Sequence, residues 1–333
     1  MLRNSASRTY ASTVLTVTEI RPKETGKIAS KPGFRRMHEV IKHIGVASRL
    51  DCWREETKKV HHVDTLEDWA SRKPLWASIE ALAANLVQGY VADMHLPEMH
   101  TQREDLRDKQ WENTLLCEQY FLLYEEMSYA MNAGDIGRVE TCFMPWVFIF
   151  RGCGKHKYVS QMIKFLHNVH RVYPPQLKRA IRMNILCNPM GKRHQFRAID
   201  WWVEHNNLYI KRIYSGAFSN RTKRRILKQA ALVEVYKKVR ISFKGMFALN
   251  HRTYRHLAPK MERTLKKLRT YVETHEVHVV KRARSTKHLV PDVAELGVNK
   301  LLSAGMDLDG AGDADDAMDG EIEVNGNEGD LEV

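Results

Sequence analysis

The sequence has no apolar run long enough to cross a bilayer. Its longest, FMPWVFIF at 143–150, has a Pro inside it, and a helical span needs roughly twenty residues. A helical membrane anchor and a membrane partner are therefore not expected. The N-terminus lacks the continuous apolar stretch of a secretory signal. Its first eighteen residues have Arg3, Arg8, several Ser and Thr and no acid. Mitochondrial leaders share that composition, but no amphipathic Arg helix is evident, so residues 1–32 read as a disordered leader. Cysteine is scarce: five residues, at 52, 117, 142, 153 and 187. The odd number and irregular spacing argue against a disulfide framework and for reduced, mostly buried thiols in an intracellular protein. The nearest zinc-like spacing, Cys153-x-x-His156, has no partners at a closed tetrahedral spacing, so no metal ligands are assigned. CGKHK lacks the full phosphate-loop pattern, and no Ser, Cys or His arrangement suggests a nucleophile. No segment of useful length alternates as a strand should.

Acid is the other shortage, and it is local. Between Arg151 and Val233 the only carboxylates are Asp200 and Glu204. Residues 151–270 hold 29 Lys and Arg against four Asp and Glu, while residues 306–333 hold eleven Asp and Glu and no Lys or Arg. The net +13 of the chain thus hides a strongly basic body and an acidic tail. A field this lopsided points to a polyanionic partner, DNA or RNA.

What remains is helical in pattern. Residues 34–56 set Met37, Val40, Ile41, Ile44 and Ala47/Ser48 on one side. Pro74 opens a second helix, with Leu75, Ile79, Leu82, Leu86 and Tyr90 at spacings of three and four. A third, 106–132, is apolar on several sides and should be central; it stops before Gly134. Pro145 should bend or break the next. RGCGK and CNPMGK read as turns. Further helices are expected over 157–172, from Pro175, over 196–214, from a Ser219 or Asn220 cap to about 246, and from Pro259. The fold class is mainly α: an irregular multi-helix globular domain over 33–284, between the disordered leader 1–32 and a disordered acidic tail 285–333.

Two constellations stand out. In helix 196–214, Asp200, Glu204, Asn207 and Lys211 form a polar stripe opposite Phe196, Ile199, Val203, Ile210 and Ile213. Carboxylates one turn apart repel by a few tenths of a kcal/mol, so a compensating charge is expected. Arg or Lys of neighbouring helices, Arg197 among them, is favoured over a divalent ion, which two carboxylates under-coordinate. The second is SNRTKRRILKQ (219–229). Arg221, Lys223, Arg224, Arg225 and Lys228 gather at a capped helix start, where free amides and cations together suit phosphate. Aromatic residues interleave with basic ones only around Trp201, Trp202 and Tyr209, so a single-strand stacking surface is not indicated.

GDIGRVE (134–140), FRGCGKHKY (150–158), VYPPQLKRAIRMNILCNPMGK (172–192), AIDWWVEHNNLYIKRIYSG (198–216) and SNRT (219–222) occur in one order. Over about residues 34–275 this resembles the C-terminal part of a fungal family abundant in mushroom-forming basidiomycetes, domain-of-unknown-function family 6589. Its recurring turns fall on Gly134, Asp135 and Arg138; on Gly152, Gly154 and Tyr158; and on Asn188, Pro189 and Gly191. Its polar helix falls on Asp200, Glu204, His205 and Asn207. Longer members are similar to transposase-derived proteins. The resemblance then implies Glu204 as the last carboxylate of a metal-dependent strand-transfer site, with its partner carboxylates upstream of this chain. This chain alone is then expected to be inactive, with Mg²⁺ or Mn²⁺ relevant only under that alternative.

The leading expectation is a non-catalytic, cofactor-free protein that contacts nucleic acid through phosphates. The rivals are a transposase or nuclease remnant using Asp200 and Glu204, and an interaction scaffold in which those two acids pair with Arg. VVKRARSTK (279–287) offers a nuclear address.

Overall fold

A computed structural model of the chain describes residues 33–92, 96–213, 222–246, 262–286 and 289–303. The described residues are mainly α, as the sequence pattern predicts. They fall into two compact units, one within residues 1–126, 142–162 and 259–312, the other within 127–141, 163–258 and 313–333. The region 33–284 contributes to both units, each assembled from chain segments far apart in sequence.

In the first unit the elements are α1 (Gly33–His61), α2 (Leu66–Ser71), α3 (Trp76–Tyr90), α4 (Leu96–Thr101), most of α5 (Lys109–Ala133), the latter part of α6 (Ile136–Gly152), the start of α7 (His156–His167), α12 (Glu262–Thr274) and α13 (Val293–Ser303). Helices α3 and α12 both pack on α1. Cys52, Leu86, Tyr90, Leu96, Trp111, Leu115 and Leu116 form one apolar core. Leu82, Leu86 and Tyr90 are buried as their spacing predicts, but Leu75 is exposed, because it is the N-cap of α3 and precedes its inward stripe. Helix α6 runs through Pro145 without a break.

The C-terminal boundary also moves. Residues 289–303, expected to belong to a disordered tail, include α13, which is docked with Val293 and Gly297 buried. The crossing is unusually close. A Cβ on Gly297 would stand 1.9 Å from the Phe148 carbonyl oxygen, and one on Gly152 would stand 2.0 Å from that of Val293. Two glycines facing each other let the backbones of α6 and α13 touch.

The second unit holds the end of α5, the start of α6, the end of α7 with a π turn at Asn168–Val172, then α8 (Pro175–Ile185), α9 (Ile199–Ile213), α10 (Lys223–Gln229), a 3₁₀ turn at Ala230–Leu232 and α11 (Val233–Met246). Pro175 opens α8 as expected. Two short strands, β1 (Leu186–Cys187) and β2 (Arg197–Ala198), pair antiparallel, with Leu186 opposite Ala198. They were not foreseen, since two residues are too few to show alternation. The helix expected from 219 to about 246 is instead α10, the 3₁₀ turn and α11 in succession. Its cap is Thr222, whose hydroxyl accepts from the Arg225 amide at 3.4 Å. Ser219, Asn220, Arg221, Pro259 and Met261 lie outside the described residues.

Candidate nucleic-acid interface

The turn motifs have structural explanations. Helix α5 ends with Gly134 at φ +75°. The Asp135 amide bonds to Ala130 O at 2.9 Å and the Gly134 amide to Met131 O at 3.1 Å, the paired bonds of a Schellman cap. Asp135 then starts α6 by accepting from the Arg138 amide at 3.2 Å. Gly154, also at φ +75°, ends α6 the same way, with Lys155 N bonded to Phe150 O and Gly154 N to Arg151 O. Gly152 serves the crossing with α13, and the Tyr158 ring stacks on Phe150 at 5.2 Å. Asn188 donates to Lys192 O at 2.7 Å and accepts from the amide of Gly191, which sits at φ +64°. This closes the β1–β2 connection and sets the start of α9.

The position of α9 is fixed by its own beginning. The Phe196 amide bonds to Asn132 O at 3.2 Å, and a Cβ on Gly134 would meet the Phe196 ring at 2.9 Å. The Arg197 guanidinium donates to Asn132 Oδ1 at 2.6 Å. Among the described side chains of α9 the buried one is His205, with Trp201 stacked at 5.4 Å, Trp202 at 5.7 Å and Tyr209 edge-on at 4.9 Å. Lys237 of α11 lies 4.8 Å over both Trp202 and Tyr209 and pairs with Glu234 at 3.0 Å. These half-buried aromatics therefore pack against one another and against Lys237.

The polar stripe of α9 is on the surface, as its spacing predicts. Asp200, Glu204, Asn207 and Lys211 are all exposed. The opposite stripe is only partly turned inward: Phe196 and Ile210 are half-buried. Ile199 and Val203 are exposed, because the Trp202–His205–Tyr209 face turns inward instead. The expected compensation by Arg or Lys is not seen: among the described residues neither Asp200 nor Glu204 carries an ion pair, and Arg197 is held by Asn132. Water screens the two acids, and Asp200 sits in the first turn of α9, where the helix dipole favours it. Its charge also reaches Cys187, whose thiol is pushed up first by burial and then by Asp200.

Lys223, Arg224, Arg225 and Lys228 are exposed on α10. Exposed Lys164, Arg171, Arg179, Lys192, Arg193 and Lys211 lie in the same unit. Its described residues hold 19 Lys and Arg against five Asp and Glu. One of the five, Glu140, is buried under Arg182 and His170. The first unit matches its charges internally, with Arg49 on Glu125, Arg54 on Asp51 and Glu55, Arg107 on Glu112 and Arg284 on Asp108. Arg284 belongs to the basic run 279–287. It donates to both Asp108 oxygens, and Lys109 N bonds its carbonyl. That run is therefore partly folded and is not a free basic peptide.

Sequence reasoning missed one polar cluster, in the first unit. His278 Nδ1 bonds Asp51 Oδ2 at 2.7 Å, and its Nε2 bonds Ser48 Oγ at 3.0 Å. The order resembles a hydrolytic triad, but Ser48 sits mid-helix in α1, where the amides are committed and offer no oxyanion donors. The one local signal was a Ser and an Asp falling on the apolar side of α1; His278 is 227 residues from Asp51.

Fold and surface together define a mainly helical protein with a charge-balanced unit and a second, strongly basic one. The chain belongs to a family of unknown function, DUF6589, whose profile matches residues 2–256. The match begins well before residue 34, so the family includes the segment read as a leader. Comparison with curated proteins and with solved structures gave no match. No helix among the described residues is long and apolar enough to cross a membrane.

Proposed function

We propose that the second unit binds nucleic acid non-catalytically through the phosphate backbone. The supporting observation is the excess of 19 cations over five acids among its described residues, with α10 presenting four exposed cations in seven residues. Phosphate contacts of this kind give affinity and register without sequence specificity. The same reading takes the protein as a nuclear, transposon-derived member of a fungal lineage, and needs no catalytic cofactor. The test is fluorescence anisotropy of the full chain with duplex DNA and single-stranded RNA across a salt series. Log K should fall linearly with log[salt], by about 0.9 per phosphate neutralised on B-DNA. Replacing Lys223, Arg224, Arg225 and Lys228 by Ala should reduce that slope by up to about four. Binding no tighter than micromolar and already lost at low salt overturns the reading.

A second reading is favoured by one observation: Asp200 and Glu204 are exposed and carry no ion pair among the described residues, with Asn207 in the same stripe. Such a pair can give part of a Mg²⁺ or Mn²⁺ site whose other carboxylates come from elsewhere, as in a transposase- or nuclease-like remnant. Calorimetric titration with Mn²⁺, using Glu204→Gln as control, decides it. Heats that are absent, or unchanged in the variant, remove it.

A further inference from the structure

The phosphate-binding reading leaves the buried cluster of the first unit without a role. Cys52 of α1, Glu118 of α5 and His278 beyond α12 each turn one potential ligand atom into the same space, within 4.8 Å of one another, and all three side chains are buried. We propose that Cys52, Glu118 and His278 bind a zinc-class divalent cation that cross-links these three segments.

The donor set supports this. One thiolate, one carboxylate and one imidazole suit Zn²⁺, whereas a sulfur ligand disfavours Mg²⁺ and Ca²⁺. Asp51 accepts at His278 Nδ1, 2.7 Å away, leaving Nε2 as the metal-binding nitrogen. Metal-bound histidines generally have such a carboxylate behind them. Arg54 in turn balances Asp51 at 2.8 Å. Ser48 Oγ lies 3.0 Å from Nε2, and an ion bound there would replace this hydrogen bond.

Glu118 supplies an independent indication. It is 1% exposed, and neither of its oxygens meets a donor in hydrogen-bonding geometry, although the Ser48 hydroxyl is near enough to favour its ionised form. A buried carboxyl left in this state is costly. A dication resolves the charge, because one Zn²⁺, one thiolate and one carboxylate sum to zero. Burial first, and then the Glu118 and Asp51 charges, push the Cys52 thiol well up. Burial likewise raises Glu118. Metal binding therefore releases the Cys52 proton, and any Glu118 proton, to solvent. Tetrahedral ligands at about 2.0–2.3 Å from zinc stand roughly 3.3–3.7 Å apart, so side-chain rotations of about 1 Å close the set. A cleft lined by Glu55, Lys59, Tyr90, Glu98 and Trp111 reaches His278, one of the three ligands.

The test is titration of the metal-stripped full-length chain with Co²⁺. One equivalent should give the intense visible bands of tetrahedral cobalt and a thiolate-to-metal charge-transfer band, both removed by Zn²⁺. Cys52→Ser should lose the charge-transfer band. Glu118→Gln, isosteric and checked for folding by circular dichroism, should lose stoichiometric binding. Asp51→Asn should weaken binding roughly 10–100-fold, and Cys117→Ser should leave it unchanged. Weak octahedral cobalt spectra from the wild-type chain, or a charge-transfer band that survives Cys52→Ser, overturn the proposal.

Discussion

Gly297→Ala gives opposite signs according to whether α13 is docked. In a free helix the change stabilises by up to about 1 kcal/mol, since Ala is the better helix former. In the fold, the new Cβ would stand 1.9 Å from Phe148 O and 2.7 Å from its carbonyl carbon, where ordinary contact begins at 3.4 Å. These are backbone atoms and cannot rotate away. The α6 and α13 backbones must separate by about 1.5 Å, or α13 must detach and expose Val293, which is now 6% exposed. Overpacking of this kind costs roughly 1–3 kcal/mol, and exposing one valine costs about 1.5 kcal/mol or more. A net loss of about 2 kcal/mol should lower the urea midpoint by roughly 1 M at a slope near 2 kcal/mol/M. Gly89→Ala is the control. Gly89 lies within α3, and a Cβ there meets nothing within 4 Å, so the same propensity gain should raise the midpoint. If both variants shift in the same direction, the close crossing of α6 and α13 is refuted.

Arg182→Met removes the bidentate donor of buried Glu140 and leaves only His170 beside it, which should cost up to about 3–5 kcal/mol. The double variant with Glu140→Gln should recover most of it in urea unfolding; a double as unstable as the single refutes the pairing. Burial raises the Asp51 carboxyl, but hydrogen bonds and charges from His278 and Arg54 outweigh it and leave the pKa below the ordinary value. The resulting stabilisation is present above the unfolded value near pH 4 and is lost as pH falls through the folded one. The gap to Asp51→Asn should therefore narrow in acid, and a pH-independent gap counts against it. Glu118 has the opposite sign. Burial lifts its carboxyl, so stability is lost as pH rises from about 4.3 toward the folded value. Metal-free Glu118→Gln should be more stable than wild type above about pH 5 and equal to it near pH 3, by thermal melts across pH.

Much of the helical framework was legible because its signals are local. Gly134, Gly154 and Gly191 announced turns, since a positive φ favours residues without a Cβ. The 3.6-residue spacing of Leu82, Leu86 and Tyr90 announced a buried face. Asp200, Glu204, Asn207 and Lys211 were correctly placed on one exposed stripe, because spacing alone sets which residues share a helix face. Which face turns inward was another matter. Apolar content favoured Ile199 and Val203, but the wider Trp202–His205–Tyr209 surface packs instead, bridged by Lys237 from α11. Pro145 likewise signalled a bend or a break, and α6 continues through it unbroken.

The sequence by itself determined the helical class, the turns and the concentration of positive charge, because propensity, backbone stereochemistry and net charge are carried by neighbouring residues. Only tertiary structure decided how the chain divides into two units, which charges are matched and which remain at the surface, and that residues 289–303 dock against α6. It also decided that Cys52, Glu118 and His278 share one buried space. Those outcomes depend on contacts between segments up to more than two hundred residues apart, and no local spacing encodes such a meeting.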